Sequence, residues 1–185
     1  MRAAYQEILD SVARYRPGAT VRGIAVEPMI ARPNARELMV GVIRDPAFGP
    51  AIVFGAGGTT VEVNRDRAVA LPPLDAFLID DLIRSTRVSR LLGAFRHLPP
   101  VDLSALESVL LRVSEMVCEL PDLVELDINP LIVDETGAIA ADARVVVHRS
   151  APARGAYGHM AIHPYPAEFV RGWQLPDGRM VTLRP

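Results

Sequence analysis

The sequence contains no lysine, because all 20 of its basic residues are arginine. Its single cysteine, Cys118, has no second cysteine with which to form an internal disulfide, so a reducing cytoplasm is the expected location. No apolar run approaches the ~20 residues that a membrane helix needs, and the N-terminus has acidic residues and no continuous hydrophobic segment. We therefore expect neither a membrane span nor a secretory signal.

What the sequence does contain is typical of a globular protein. Its 185 residues are 50% hydrophobic and carry a formal net charge of −2. That length is sufficient for one ordinary domain with a buried core, or for a domain with an appendage. The apolar content argues against intrinsic disorder, and the small net charge argues against a nucleic-acid-binding surface.

The most informative stretch, Leu123 to Val147, predicts a strand, a turn and a second strand. Alternation along the first strand places Glu125, Asp127 and Asn129 on one face. If the second strand returns antiparallel, Asp142 comes level with Asn129. Carboxylate and amide oxygens on rigid strands suit a hard cation such as Mg²⁺, which usually keeps phosphates among its ligands. The same alternation is also typical of the solvated face of an antiparallel sheet, so the pattern alone leaves both interpretations open.

The identity of these residues resembles a known family. E-L-D-I-N-P-L at 125–131, followed by D-A-R at 142–144, is similar to the metal-binding end of the ATP-grasp domain in ADP-forming acyl-CoA synthetases, relatives of succinyl-CoA ligase. The resemblance implies ATP or ADP and Mg²⁺ as cofactors. It implies that Asn129 and Asp142 hold Mg²⁺ on the nucleotide phosphates, and Asp127 stands where many ATP-grasp enzymes have a metal-binding Glu.

A second resemblance concerns the nucleotide base and sugar. V-E-P-M at 26–29 and R-E-L-M-V-G at 36–41 resemble the hinge of ATP-grasp proteins, although the loop between them is longer here than in the family. This implies that Glu27 and the adjacent backbone up to Met29 face the adenine, and that Glu37 binds the ribose hydroxyls. Ionised carboxylates accept hydrogen bonds from an amine or a diol. Glu37 is also consistent with the polar start of an alternating strand.

A glycine-rich segment, G-A-G-G-T-T, lies at residues 55–60. It is not a Walker loop, because the phosphate-binding lysine is missing and the spacing is different. Its glycines predict either a tight hairpin or backbone amides that approach an anion. Together with the D-P-A-F-G-P turn before it and V-E-V after it, the segment resembles the acyl-CoA synthetase relatives, where this hairpin lies beside the active site. The resemblance makes Gly57, Gly58 and Glu62 candidate site residues.

We expect an α+β fold, the C-terminal lobe of an ATP-grasp domain, with a mainly antiparallel sheet, helices packed on one face and an irregular C-terminal connector. Periodicity predicts three helices, at residues 2–16, 71–92 and 103–120. Strands are expected at 20–30, 37–44 and 51–54 and in the two arms of 123–147. Four residues of the second helix are expected to face the core: Phe77, Leu78, Leu82 and Ile83.

The expected domains are an ATP-grasp lobe at 1–150 and a connector at 151–185. ATP-grasp enzymes resemble one another in using lysines of an N-terminal lobe to hold phosphates, so a chain without lysine resembles only the C-terminal lobe of a larger enzyme. The end of the connector resembles the D-G-x-x-V-x-x-R-P segment that leads into a GNAT-type protein lysine acetyltransferase. For His159 and His163 we expect a surface or packing role, because Pro164 and the lack of other ligands argue against a metal site.

The reaction implied by the resemblance converts acyl-CoA, ADP and phosphate to acid, CoA and ATP through acyl phosphate and phosphohistidine. No histidine here matches a phosphohistidine motif. The expected partners are therefore the nucleotide, CoA-binding and phosphohistidine-bearing domains of the same or a partner chain, and a C-terminal acetyltransferase domain, but neither nucleic acid nor membrane. No residue is assigned as catalytic, and the isolated chain is expected to be inactive.

Two alternatives stay open. The lobe could be a non-catalytic sensor or scaffold that regulates an attached acetyltransferase by binding nucleotide or acyl-CoA. It could also be a purely structural interaction domain. Nucleotide binding and ATP formation by the full-length protein discriminate among the three.

Overall fold

The computed structural model describes residues 2–58, 66–148, 157–163 and 171–183. It shows an antiparallel sheet with helices, which confirms the predicted α+β class. The chain forms two compact units, Met1–Ala31 and Arg32–Pro185. None of the helices in the described ranges is long and apolar enough to cross a membrane. The candidate Glu62 lies outside the described residues.

The N-terminal unit contains helix α1, Arg2–Tyr15, as predicted. The strand expected at residues 20–30 is wrong, because this segment has no regular secondary structure. A strand needs a neighbour to satisfy its backbone groups, and in the described part of the chain no strand pairs with this segment. The loose alternation of apolar residues in this segment was therefore not sufficient to predict a strand.

The second unit is organised around one antiparallel sheet, with the strand order β3-β2-β1-β4-β5 and with β6 also pairing with β4. The strands are β1 (Arg36–Asp45), β2 (Gly49–Ala56), β3 (Arg67–Ala70), β4 (Leu123–Asp134), β5 (Gly137–Ala140) and β6 (Ala143–Val147). Strands β1 and β4 are central, so side chains at their ends have neighbours on both sides. The predicted strands at 37–44 and 51–54 and both predicted arms of 123–147 are confirmed.

Strands β5 and β6 are two parts of one returning arm. Ile128 of β4 pairs with Ala143, and Leu131 pairs with Ala140, so the same register continues on both sides of a short break. Within the break, the Ala141 N–H donates to the Pro130 carbonyl at 3.0 Å. The antiparallel return predicted for this stretch is therefore confirmed.

Two helices, α2 (Ala76–Arg84) and α3 (Leu103–Glu119), pack against the sheet. Each begins at an aspartate, as is typical of helix N-caps. The Asp75 carboxylate accepts a hydrogen bond from the Leu78 N–H at 2.8 Å, and the Asp102 carboxylate accepts one from the Ala105 N–H at 3.1 Å. The buried core combines residues of both helices with alternate residues of β1, β2 and β4: Leu38, Val40, Val42, Ile52, Phe54, Ile79, Leu82, Leu106, Leu110, Val113, Val117, Leu126 and Leu131.

The second predicted helix is shorter than expected, and part of its predicted core face is wrong. Leu82 and Ile83 are buried, but Phe77 is 76% exposed and Leu78 is also exposed. With Asp75 as N-cap, the inward stripe runs through Ile79 and the pair at 82–83, and Phe77 turns away from it. After Arg84 the chain forms a short 3-10 turn, Val88–Leu91, instead of continuing as a helix.

This turn is fixed by Asp66, whose carboxylate accepts hydrogen bonds from the Arg87 and Val88 N–H groups at 2.7 and 2.6 Å. Arg36, at the start of β1, holds the loop beyond it. The Arg36 guanidinium is buried and donates to the backbone carbonyls of Asn34, Leu91, Gly93 and Pro99. Because this arginine leads directly into Glu37, the contacts fix the backbone at the end of β1 that carries a predicted site residue.

The described C-terminal residues form a short segment, 157–163, and a separate two-stranded hairpin. The hairpin consists of β7 (Arg171–Gln174) and β8 (Met180–Leu183), with a turn at Asp177 and Gly178 between them. In the segment, Met160 is buried, and the His159 imidazole Nε2 lies 2.9 Å from the Val117 carbonyl oxygen. These contacts agree with the packing role expected for His159.

Candidate functional site

Four of the predicted site residues lie together at the N-terminal end of β1: Glu37, Gly57, Gly58 and Asn129. The Gly57 N–H donates to the Glu37 carbonyl at 2.8 Å. The Gly58 N–H donates to the Asn129 side-chain oxygen Oδ1 at 3.0 Å. These two hydrogen bonds join the start of β1, the glycine turn and the middle of β4. Gly58 and Asn129 are 71 positions apart in the sequence.

The local backbone requires glycine at both turn positions. A Cβ atom at Gly57 would collide with the backbone of Leu38, and one at Gly58 would collide with the Glu37 carboxylate oxygen Oε2. Gly58 also has φ +79°, a conformation that other residues rarely adopt. The turn therefore packs directly onto β1, and both of its described amides donate to partners within the protein.

A β-bulge aims Asn129 at this turn. Leu38 of β1 pairs with Leu131 of β4, and Val40 pairs with Ile128, so two β4 residues, Asn129 and Pro130, stand opposite one β1 residue. An extra residue on one strand bends it and redirects a side chain, and bulges are frequent beside functional sites. The core face of β4 continues on both sides of the bulge, and Asn129 contacts the glycine turn instead of the core.

The predicted metal ligands lie along the same stretch. The register of β4 with β5 and β6 places Asp142 in the break directly opposite Asn129, between the pairs Ile128–Ala143 and Leu131–Ala140. Residues directly opposite each other in an antiparallel pair lie on the same face. The exposed Asp142 carboxylate accepts a hydrogen bond from the Ala143 N–H at 2.9 Å.

The third predicted ligand, Asp127, is partly buried. In the register of β4 with β6, Asp127 lies opposite Arg144. That arginine also reaches Glu125, since its Nη2 atom lies 3.3 Å from Glu125 Oε2. The Glu125 carboxylate therefore already has the Arg144 guanidinium as its partner. The oxygen atoms of the predicted metal site come from Asp127, Asn129 and Asp142.

The donor set fits Mg²⁺ held jointly with phosphate. Among the described residues, no three His, Cys, Asp or Glu side chains group closely enough to hold a metal by themselves. Two carboxylates and one amide oxygen are hard ligands of the type that Mg²⁺ prefers, and protein Mg²⁺ sites commonly use only one or two carboxylates beside phosphates and water. The residues therefore suit a cation that arrives with a nucleotide.

Glu27 and Met29, predicted to face adenine, belong to the separate N-terminal unit. Glu27 is exposed, and Met29 is 91% exposed. The roles implied for both residues stay predictions.

Sequence reasoning missed the residues that support the site. Arg36 precedes Glu37 and is buried among four carbonyl groups, yet a charged residue at the start of a strand gave no sign of burial. Asp134 ends β4, and its carboxylate accepts a hydrogen bond from Arg32 at 2.8 Å. The Asx-like turn D-E-T-G was the available signal for Asp134, but its arginine partner lies about a hundred positions earlier in the chain.

The D-P-A-F-G-P turn lies at the other end of β1, where Asp45 pairs with Gly49. Asp45 lies eight positions after Glu37 along β1, which corresponds to roughly 26 Å at the usual rise per residue. A surface cavity of about 590 Å³ lies at this distant end, and residues lining it include Arg44, Phe48 and His159. The turn and the glycine segment, predicted before and after the strand at 51–54, therefore lie at opposite ends of β2.

Comparison with known proteins agrees with this architecture. Residues 1–147 match the ATP-grasp domain family. The chain is 37% identical over 146 residues to the beta subunit of acetate–CoA ligase (ADP-forming) I from Pyrococcus furiosus, covering 79% of this chain and 62% of that subunit.

Solved structures give the same result. A dinucleotide-forming acetyl-coenzyme A synthetase 1 of Ca. Korarchaeum cryptofilum, in complex with coenzyme A and Ca-AMPCP, superposes with a TM-score of 0.69 at 34% identity, covering 80% of this chain and 63% of that chain. A second structure of that synthetase holds coenzyme A and Mg-AMPPCP, with a phosphohistidine segment pointing towards the nucleotide site. Its TM-score is 0.59 at 35% identity, over 61% of this chain and 53% of that chain.

Proposed function

This chain belongs to the ATP-grasp domain family, and from that premise we propose that it is the nucleotide- and Mg²⁺-binding part of an ADP-forming acyl-CoA synthetase. Its homologues are ADP-forming acyl-CoA synthetases. The chain spans 62% of the length of the Pyrococcus furiosus subunit. We therefore assign the complete reaction, acyl-CoA, ADP and phosphate to acid, CoA and ATP, to the larger assembly.

The observation that carries the proposal is the meeting of Glu37, Gly57, Gly58 and Asn129 at one end of β1. Glu37 binds the ribose hydroxyls, since a carboxylate accepts hydrogen bonds from both hydroxyls of a diol. Gly57 and Gly58 border the nucleotide and leave it room. Glu27 and the backbone at Met29 contact the adenine.

Asp127, Asn129 and Asp142 hold the divalent cation. A Mg²⁺ ion bound there neutralises negative charge on the phosphates. The three side chains provide oxygen ligands from two adjacent strands, and the backbone pairing of β4 with β5 and β6 keeps their spacing fixed. The Korarchaeum complex with Mg-AMPPCP supports this choice of cation.

The remaining groups of the reaction must come from elsewhere. The absence of lysine supports a separate lobe that binds the phosphates. The Korarchaeum complexes support CoA-binding and phosphohistidine-bearing domains as partners. We also propose a cytoplasmic location, supported by the presence of a single cysteine. We further propose an acetyltransferase domain beyond residues 151–185, supported by the D-G-R-M-V-T-L-R-P pattern at 177–185.

Titration of the 185-residue chain with ADP, with and without Mg²⁺, tests the proposal by two-dimensional NMR. We expect Mg²⁺-dependent shifts at Glu37, Gly58 and Asn129. Asp142→Ala should weaken the Mg²⁺-dependent binding at least about tenfold, because it removes a charged ligand. Asp81→Ala, which removes an exposed carboxylate from α2, should leave binding unchanged.

The full-length protein separates catalysis from sensing. If the site is catalytic, Asp142→Ala abolishes ATP formation from acyl-CoA, ADP and phosphate. Binding without ATP formation by the unaltered protein would favour a sensor or scaffold. If the full-length protein does not bind ADP at millimolar concentration with Mg²⁺ present, the structural interaction domain is left and the proposal is overturned.

A further inference from the structure

We propose that Gly58 is a positioning residue that orients Asn129 as a cation ligand and ties it to the backbone that carries Glu37. This inference rests on the proposed function and deepens it. Gly57 and Gly58 then act by setting geometry, and their N–H groups do not bind phosphate.

The two ends of the Asn129 amide differ in their hydrogen-bonding chemistry. An asparagine side chain presents an oxygen acceptor and an NH₂ donor, and rotation about its last torsion exchanges them. A backbone N–H can only donate, so the 3.0 Å contact with Gly58 requires Oδ1 on the side of the glycine turn. The hydrogen bond therefore excludes the flipped state, which would present NH₂ to a cation.

The Asn129 oxygen Oδ1 can interact with two partners at once. An amide oxygen has two lone pairs, and the Gly58 N–H uses one of them. The other can still bind a cation. Hydrogen-bonding partners of metal ligands orient them, and their loss typically costs about 10–100-fold in metal affinity.

The glycine turn also contacts Glu37. The Gly57 N–H donates to the Glu37 carbonyl at 2.8 Å. Gly58 lies so close to the Glu37 side chain that a Cβ atom added to Gly58 would collide with the Glu37 carboxylate. One peptide turn thus contacts both the proposed ribose ligand and the proposed cation ligand. A side chain at position 58 would have to displace the Glu37 carboxylate or shift the turn, and a shift of the turn moves the N–H that holds Asn129.

The test compares Gly58→Ala with the unaltered chain, using Mn²⁺ with ADP as the probe. Mn²⁺ broadens the NMR signals of nearby groups, and its binding is followed by electron paramagnetic resonance. We expect Gly58→Ala to lower Mn²⁺ affinity about 10–100-fold and to reduce the broadening at the Asn129 side-chain amide. Gly178→Ala, also at positive φ (+86°) but in open space, is the matched control and should bind as the unaltered chain does.

Rescue distinguishes positioning from general damage. In Gly58→Ala/Asn129→Asp the ligand is a carboxylate with two equivalent oxygens, so its orientation no longer matters. Mn²⁺ affinity should then return to within a few-fold of that of Asn129→Asp alone. Equal Mn²⁺ affinity in Gly58→Ala and the unaltered chain, or failure of this rescue, would overturn the inference.

Hydrogen exchange provides a measurement that does not depend on Gly58→Ala folding. In Asn129→Ala the Gly58 amide should exchange at least about tenfold faster, because it loses its acceptor, whereas the Gly57 amide keeps its bond to Glu37 and should not change. Unchanged exchange at Gly58 would contradict the inference. No Mn²⁺-dependent broadening at Asn129 in the unaltered chain would instead refute the proposed function.

Discussion

At the scale of single residues, Asp134 shows how a carboxylate can be kept ionised at the end of a strand. Its Oδ1 atom accepts hydrogen bonds from the Thr136 hydroxyl at 2.7 Å, the Thr136 N–H at 2.9 Å and Arg32 Nη1 at 2.8 Å. The Thr136 hydroxyl, with smaller contributions from its N–H and from Arg32, holds the pKa of Asp134 below its ordinary value, although burial acts in the opposite direction. The ionised form therefore stabilises the fold.

We expect acid to remove this stabilisation. In the unfolded chain the pKa of Asp134 is about 4, so the folded state gains from the ionised carboxylate above that pH and loses the gain as pH falls through the lower folded pKa. Asp134→Asn should lower the melting temperature near neutral pH, and its difference from the unaltered chain should shrink below about pH 4. Circular dichroism melts at a series of pH values measure both.

Asp80→Asn is the matched control for this experiment. Asp80 pairs with Arg84 at 2.8 Å on the exposed face of α2, where an ion pair contributes little to stability. Its melting temperature should follow that of the unaltered chain across the pH range. A difference between Asp134→Asn and the unaltered chain that stays constant in acid would contradict the role given to the ionised carboxylate.

At the scale of helices and strands, the sequence predicted those elements that have a regular pattern of apolar residues. The amphipathic repeat of α3 and the alternation of β1 and β4 were sufficient, because each has a regular face that must be buried. Residues 20–30 were predicted as a strand and are not one, since a strand depends on a neighbour as well as on its own pattern. The exposure of Phe77 was missed for a similar reason, because the face of α2 that is buried depends on how the helix packs against neighbouring elements.

Helix α3 offers a direct test of this distinction. Leu110 is fully buried against the sheet, whereas its neighbour Leu111 is 40% exposed. Leu110→Ala should lower the free energy of unfolding by about 2–5 kcal/mol, since it leaves a cavity in the core. Leu111→Ala, the same chemical change one position later, should cost less than about 1 kcal/mol. Urea unfolding followed by circular dichroism measures both, and equal losses would show that the helix is rotated from the position described.

At the scale of the whole molecule, the site is assembled from segments far apart in the chain. Residue types and the family resemblance made Glu37, Asn129 and Asp142 candidates, and the roles of these residues stay predictions. The sequence did not predict that the Gly58 N–H binds Asn129, because that contact depends on a bulge in β4 and on the close packing of a glycine turn. The supporting role of Arg36 was hidden as well, since its partners are backbone carbonyls, which carry no sequence signal.

The packing of residues 157–163 is a second feature of this scale. Gly49 ends the turn at the far end of the sheet with φ +69°, and a Cβ atom there would collide with the His159 carbonyl. His159→Ala removes the contact with the Val117 carbonyl. We expect Gly49→Ala and His159→Ala each to increase hydrogen exchange of the segment several-fold. Mass spectrometry of peptides that cover residues 157–163 measures this.

His163→Ala is the control, because His163 is exposed. It should leave the exchange of the segment unchanged. The same exchange rate in all four proteins would mean that neither the turn glycine nor His159 holds this segment in place.

Trp173 is the only tryptophan in the sequence, and it lies 63% exposed on the β7–β8 hairpin, which is not part of the six-stranded sheet. Indole emission therefore reports the surroundings of the hairpin and is insensitive to loosening of the core around α3. The molecule thus carries its own optical reporter of anything that comes to cover its C-terminal hairpin. A blue shift on mixing with a binding domain would reveal docking without any added dye.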